Sequence, residues 1–289
     1  MRRFEGKVAL VSGAEGGIGG ATVARLAAEG AEVWCAVLPG LAAPSGYRAV
    51  EVDVTVEQHW TAALETVTGT SGRLDVLVNS AGILGIGTAE DTSLEQWRRV
   101  LDVNLTGTFL GCRAAVGHMR RSGGGAIVNL SSFAGLRGLV GMVSYATSKG
   151  GVIALTQSLA KDHASDGIRV NAVCPGSVDT PMIAAVVAAA DDPQARRQRA
   201  IEGYLIERMA RPAEIAAAIA YLASDDASFI TGQALPVDGA APSTDRSGWS
   251  LVELTGAAPE PSPAVTVEVG TRLSPGTWVG EFNRTKANQ

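Results

Sequence analysis

Cysteine and histidine are scarce in this chain, with three of each among 289 residues. Cys35, Cys112 and Cys174 lie far apart, and His59, His118 and His163 fall on separate helix-like segments. A disulfide framework or a structural metal site needs tighter clusters, so no metal is assigned. The cysteines read instead as small buried residues of a reducing compartment. An excess of positive charge is also lacking: the formal net charge is −5, which gives nucleic-acid binding no support. No apolar stretch approaches the roughly 20 residues that span a bilayer. Met1 to Glu5 leads into a strand-like run rather than a signal sequence. A cytoplasmic protein with neither nucleic acid nor membrane as partner is the expectation.

What is present is apolar and periodic. Hydrophobic residues make up 46%, enough for one large core plus an appendage. Strand candidates are Val8 to Val11, Val33 to Val37, Ala49 to Val54, Val76 to Asn79, Ala126 to Leu130, Val170 to Val173 and Ala234 to Val237. Helical patterns lie between most of them. Such alternation specifies an α/β fold, a doubly wound parallel sheet in a single domain. Leu38 to Val50 is too short for the helix that would ordinarily join two such strands. Loops following the strands gather at one sheet edge, where chemistry is expected.

The first of these loops is rich in glycine. Val8-Ala9-Leu10-Val11 is followed by Ser12-Gly13-Ala14-Glu15-Gly16-Gly17-Ile18-Gly19-Gly20, then by a helical pattern from Ala21 to Glu29. Strand, glycine turn and helix together present backbone N–H groups and a helix dipole to a pyrophosphate.

A second cluster carries proton chemistry. Ser132 is followed by Tyr145 and Lys149, the latter pair at i and i+4 of an Ala/Leu-rich helical run. On one helix face the Lys149 ammonium can approach the Tyr145 phenol and favour its ionised form. Tyr145 is thereby expected to have a lowered pKa and to act as an acid or base near neutral pH.

Together these residues resemble the short-chain dehydrogenase/reductase family in its single-domain form, over roughly residues 5 to 240. Gly13-x-x-x-Gly17-x-Gly19 matches the family turn, with Ser12 where threonine is usual. Asp53-Val54, Asn79-Ser80-Ala81-Gly82, Asn104, Asn171, Pro175-Gly176 and Thr180 follow in the family's order. The resemblance implies a Rossmann-like fold and an oxidoreductase that interconverts a secondary alcohol and a ketone with NAD(P)(H). It implies Tyr145 as proton donor and acceptor, and Lys149 as the residue that tunes Tyr145 and holds the nicotinamide ribose. Ser132 is implied at the substrate oxygen, and Asn104 as support for a water in a proton relay. Ser12, Gly13, Glu15, Gly17, Ile18, Gly19 and Val37 are implied at the cofactor from the first two strands. Asp53, Val54, Asn79, Ala81 and Gly82 join them from the next two. Pro175, Gly176, Val178 and Thr180 complete the set with Tyr145 and Lys149. Relatives that epimerise sugar nucleotides usually space the glycines differently. A reductase of 3-oxoacyl groups on acyl carrier protein, using Arg120, Arg121 and Arg137, and a non-catalytic nucleotide sensor or scaffold are the alternatives.

Cofactor choice departs from the family pattern. Many NAD-using relatives carry an acidic residue at the position of Val37, and NADP-using ones carry a base where Glu15 and Leu38 stand. Arg48 is the one base in the following loop, at the opposite sheet edge. A 2′-phosphate would meet a negative neighbour and no partner, so NAD(H) is favoured and NADP(H) not excluded.

Ile83, Leu84, Ser132, Phe133, Leu139, Met142, Met182 and Ile183 are expected to face the substrate. This largely apolar set suits a neutral, hydrophobic small-molecule alcohol or ketone. The resemblance implies a variable substrate lid between Thr180 and Arg211, on which Arg196, Arg197 and Arg199 form a solvated face or, alternatively, meet an acidic carrier or substrate. Residues 1–240 make the catalytic domain. Residues 241–289 are an added segment with a proline-rich linker at 258–263, an alternating run at 265–269, and Trp249 and Trp278. It reads as an ordered arm across a neighbouring subunit, and the resemblance implies a homotetramer.

Overall fold

Every strand expected from the sequence forms, and all pair in parallel. The computed structural model describes residues 2–202 and 204–241. The expected arm, with its linker, its alternating run and Trp249 and Trp278, lies outside the described residues. The strands are β1 (Val8–Ser12), β2 (Glu32–Val37), β3 (Arg48–Glu51), β4 (Val76–Asn79), β5 (Gly125–Leu130), β6 (Ile168–Pro175) and β7 (Ala234–Val237). They form one seven-stranded sheet in the order β3-β2-β1-β4-β5-β6-β7. The third strand is shorter than expected: it ends at Glu51, and Val52 makes one further bond to Val37 before the chain turns away.

The sheet is buried on both faces because its strands are apolar on both. In β2, Trp34 and Ala36 enter one core, while Val33, Cys35 and Val37 enter the other. The first core is covered by α2 (Glu57–Ser71) and α4 (Gly107–Arg121), the second by α1 (Gly17–Ala28) and α9 (Pro212–Ala223). Trp60 of α2 is fully buried, and its indole N–H donates to the Val54 carbonyl at 3.0 Å, anchoring the chain just beyond β3. No helix joins β2 to β3.

The strand order reverses between β1 and β4, so their following loops diverge and leave a crevice at the carboxyl edge of the sheet. Two helices bring chemistry to that crevice. One is α6 (Val143–His163), which carries Tyr145 and Lys149 on its first turns. The other path runs from α3 (Leu94–Leu101) into α4 through a π-helical turn, Asp102–Thr106, with Asn104 buried at its centre. The extra residue of a π turn rotates the downstream helix relative to the upstream one, and such turns concentrate at functional sites. Among the described residues no helix is long and apolar enough to cross a membrane.

Candidate active site

The crevice is a cavity of about 880 Å³. One end is made by the glycine turn. Gly13 has φ +64, and a Cβ there would lie 2.8 Å from the backbone of Ala81, so only glycine lets the two loops meet. Behind it, α1 starts without a side-chain cap, which leaves the first-turn amides for a ligand. Glu15, Gly17, Ile18 and Gly19 line this end. Asp53 and Val54 form a second wall, Ala81 and Gly82 a third. The Asp53 carboxylate accepts from the Thr55 hydroxyl at 2.7 Å and amide at 2.9 Å, which lowers its pKa. Glycine cradle, free helix terminus and cavity size together fit a dinucleotide.

The opposite end holds the proton-transfer residues. Ser132 caps α5 (Phe133–Arg137), its hydroxyl oxygen accepting from the Ala134 amide at 3.2 Å, which fixes that oxygen at the cavity wall. Ser131 is turned inward, donating to the Lys149 carbonyl at 2.8 Å. Ser132, Tyr145 and Lys149 all line the cavity, and Pro175, Gly176, Val178 and Thr180 close the wall beside them.

The electrostatics differ from the expectation that Lys149 depresses the Tyr145 pKa. Burial raises the Tyr145 pKa, opposed by a hydrogen bond with Ser132. The Lys149 Nζ donates to the Leu130 carbonyl at 2.7 Å and sits 5.8 Å from the Tyr145 ring centroid. Burial without a carboxylate partner brings Lys149 itself down to about 8. Desolvation is therefore the largest influence on both groups.

The side chain of Asn104 ties two elements together. Its amide donates to the Ile83 carbonyl at 2.9 Å and the Ser148 hydroxyl at 3.0 Å, while its oxygen accepts from the Ile83 amide at 2.8 Å. Both amide hydrogens are spent on holding the β4 loop against α6.

Three residues expected at the cofactor stand behind the wall instead. The Ser12 hydroxyl accepts from the Ser80 and Ala81 amides, which turns it away from the cavity. The Asn79 amide donates to Asn129 at 2.9 Å across the sheet. Strand alternation sends Val37 into the core beside Val33 and Cys35, and the neighbouring Leu38, 46% exposed, takes the wall position. On the substrate side Ile83, Met182 and Ile183 line the cavity. Leu84, Phe133, Leu139 and Met142 do not: Phe133 turns to the Tyr204 ring, Leu139 lies exposed on the loop before α6, and Met142 bridges Gly87. Nothing in the contacts of Leu84 explains its position.

The sequence reading missed Ala36, Ser80, Leu130 and the arginines Arg98 and Arg99. The signal was available for the arginines, because projecting a helix back from Val103-Asn104 puts one turn of α3 on the same face. Arg48 begins β3 at the far edge, as expected, with its guanidinium over Trp34. No cluster of three or more metal-ligating side chains occurs among the described residues.

A glycine-cradled nucleotide site at a strand-order reversal, joined to a Ser/Tyr/Lys set, defines a nicotinamide-dependent oxidoreductase of CH–OH groups. Residues 13–240 match the family model described as enoyl-(acyl carrier protein) reductase. The chain is 45% identical over 246 residues to a 3-alpha-(or 20-beta)-hydroxysteroid dehydrogenase of Mycobacterium tuberculosis, covering 82% of this chain and 90% of that one. It is 42% identical over 253 residues to a cyclopentanol dehydrogenase of Comamonas testosteroni, covering 83% and 98%. Among solved structures, Thermoplasma acidophilum aldohexose dehydrogenase superposes with a TM-score of 0.76 at 35% identity, covering 90% of this chain and 98% of that one. The chain belongs to the short-chain dehydrogenase/reductase family.

The Lys149 shift carries a pH consequence. With a folded pKa near 8 and an unfolded one near the ordinary 10.5, the unfolded chain binds more protons between these values, so this group makes the fold more stable as pH rises through that window. Urea unfolding of wild type and Lys149→Met in the absence of cofactor should give a stability difference that is flat below about pH 7 and moves in favour of wild type from about pH 8 upward. A difference independent of pH from 7 to 10 would contradict the depressed pKa.

Proposed function

We propose that this enzyme interconverts an apolar, cyclic secondary alcohol and its ketone with NAD(H). The observation that carries the reading is that Ser132, Tyr145 and Lys149 line the same cavity as the glycine turn. The bound nicotinamide supplies or accepts the hydride. Ser132 donates a hydrogen bond to the substrate oxygen and stabilises the charge that develops there. Tyr145 gives or takes the hydroxyl proton. Lys149, whose charge changes near pH 8, holds the cofactor ribose by its ammonium and favours the Tyr145 phenolate as that charge forms. Asn104 keeps Ile83 and α6 in register beneath them.

Ring alcohols are favoured because Ile83, Met182 and Ile183 give the cavity an apolar end, and because two relatives are named for hydroxysteroid and cyclopentanol oxidation. The acyl-carrier alternative lacks support: Arg120 is held by Asp166, and Arg120 and Arg121 end α4 at the sheet edge away from the cavity. A homotetramer in the cytoplasm is the expected state. Its support is the β7 edge, which no further strand pairs with among the described residues, and the fully exposed Phe229 just before it.

With NAD and a panel of cyclopentanol, hydroxysteroids and linear alcohols, reduced-nicotinamide absorbance should rise fastest for the ring compounds. Tyr145→Phe should lower kcat by roughly 10²- to 10⁴-fold, the usual contribution of a positioned acid or base. Equal turnover by the two proteins would remove Tyr145 from the mechanism.

The cofactor preference rests on Glu15 and Leu38 at the adenosine end. NADH should bind at least several-fold tighter than NADPH in a fluorescence titration, and Glu15→Arg should narrow the gap by supplying a charged partner for phosphate. Tighter NADPH binding by the unmodified protein would instead point to Arg98 and Arg99 as phosphate ligands.

For the assembly, light scattering should give the mass of four chains, and Phe229→Asp should lower it. A monomeric wild type refutes the tetramer.

A further inference from the structure

The lid expected between Thr180 and Arg211 contains α7 (Pro181–Ala188), α8 (Pro193–Arg199) and a strap that returns from α8 to α9. The strap is stitched to the β6 loop on one side, where the Ala210 amide donates to the Ser177 carbonyl and the Asp179 amide to the Ala210 carbonyl, each at 2.9 Å. On the other it meets the segment after β7, where the Ile206 amide donates to the Gly239 carbonyl at 3.1 Å. Tyr204 is the one aromatic residue of the described strap, and it is 9% exposed. It does not line the cavity, and the proton chemistry described above does not use it.

Its contacts nevertheless reach both halves of the site. The Tyr204 hydroxyl oxygen accepts from the Ser177 amide at 3.1 Å and lies 3.4 Å from the Ser177 hydroxyl. Its ring meets Phe133, the residue next to Ser132, edge-on, with centroids 6.1 Å apart and planes at 69°. The same ring lies directly on the backbone of Gly176, where a Cβ would come within 2.7 Å of its Cε1. Gly176 and Val178 line the cavity on either side of the residue that Tyr204 holds.

We infer that Tyr204 is a positioning residue: from the lid, its hydroxyl holds the Ser177 amide and its ring holds Phe133, setting together the turn at the cofactor and the strand end that carries Ser132. This inference rests on the dehydrogenase reading above. Seating of the lid strap and geometry of the site are then one event, because a single side chain bridges them. The ring and hydroxyl contributions separate by substitution, since Tyr204→Phe keeps the contact with Phe133 and loses the bond to Ser177, while Tyr204→Ala loses both.

The test begins with the protein alone. Hydrogen exchange at Ser177 should accelerate about tenfold or more in Tyr204→Phe, because a half-buried amide loses its acceptor. NADH affinity, read by fluorescence titration, should weaken about three- to tenfold in Tyr204→Phe and further in Tyr204→Ala. In kinetics with cyclopentanol, kcat should fall about tenfold in Tyr204→Ala and be largely recovered in Tyr204→Phe, which restores the ring against Phe133. Unchanged exchange at Ser177 in Tyr204→Phe would overturn the inference. So would variants that melt earlier but bind NADH and turn over as wild type does, since that marks a role in stability alone. Wild type that binds no nicotinamide nucleotide would overturn the dehydrogenase reading and this inference with it, whereas wild-type binding with indifferent variants overturns this inference only.

Discussion

Three hydrogen bonds at one buried side-chain amide, that of Asn104, tie the loop after β4 to α6. Two of them take both backbone groups of Ile83, and the third reaches the Ser148 hydroxyl, which itself donates to the Tyr145 carbonyl at 2.7 Å. The amide projects from the middle of the π turn at Asp102–Thr106. A buried amide left unsatisfied costs roughly 1–3 kcal/mol per group, so the three partners are held as firmly as Asn104 is. Wall, acid/base helix and substrate end therefore share one reference point.

Around that tie the site is arranged by burial more than by charge. Lys149 is buried with a carbonyl and no carboxylate, and Tyr145 is half-buried beside Ser132. Each is pushed toward its neutral form, a phenol above its ordinary range and an amine near 8. A charge placed between two such desolvated groups is felt strongly, because the surrounding dielectric screens little. The ion pairs lie away from this site, exposed in Arg120 with Asp166 and Arg208 with Glu214 and largely buried in Arg3 with Glu29.

A buried polar set below the cavity serves the sheet rather than the chemistry. Asn79 donates to Asn129, and Asn129 donates to Thr156 of α6 at 3.0 Å. Cys112 lies within the same cluster, its thiol pushed up to about 12 by burial, which makes it an inert packing group. This network explains why Asn79, conspicuous next to Ser80-Ala81-Gly82, faces inward while the residues after it face the cavity.

The seven strands, the glycine turn and the Ser132/Tyr145/Lys149 set were legible because each depends on short-range pattern. Apolar runs specify strands buried on both faces, and a four-residue spacing specifies one helix face. The same residues carried the family resemblance. Which side of a strand end faces the cavity was not legible: Val37 and Leu38 differ by one position, and only packing of Val33, Cys35 and Val37 into the core beneath α1 decides between them. The sign of the Tyr145 shift was equally out of reach, since the spacing places an ammonium nearby while desolvation, which prevails, depends on every element that covers the pair. Arg98, Arg99 and Tyr204 come from segments distant in sequence from the residues they meet. Sequence alone determined which chemistry the chain carries; tertiary structure decided which neighbours orient it, because burial and contact are properties of the assembled layers and not of any one segment.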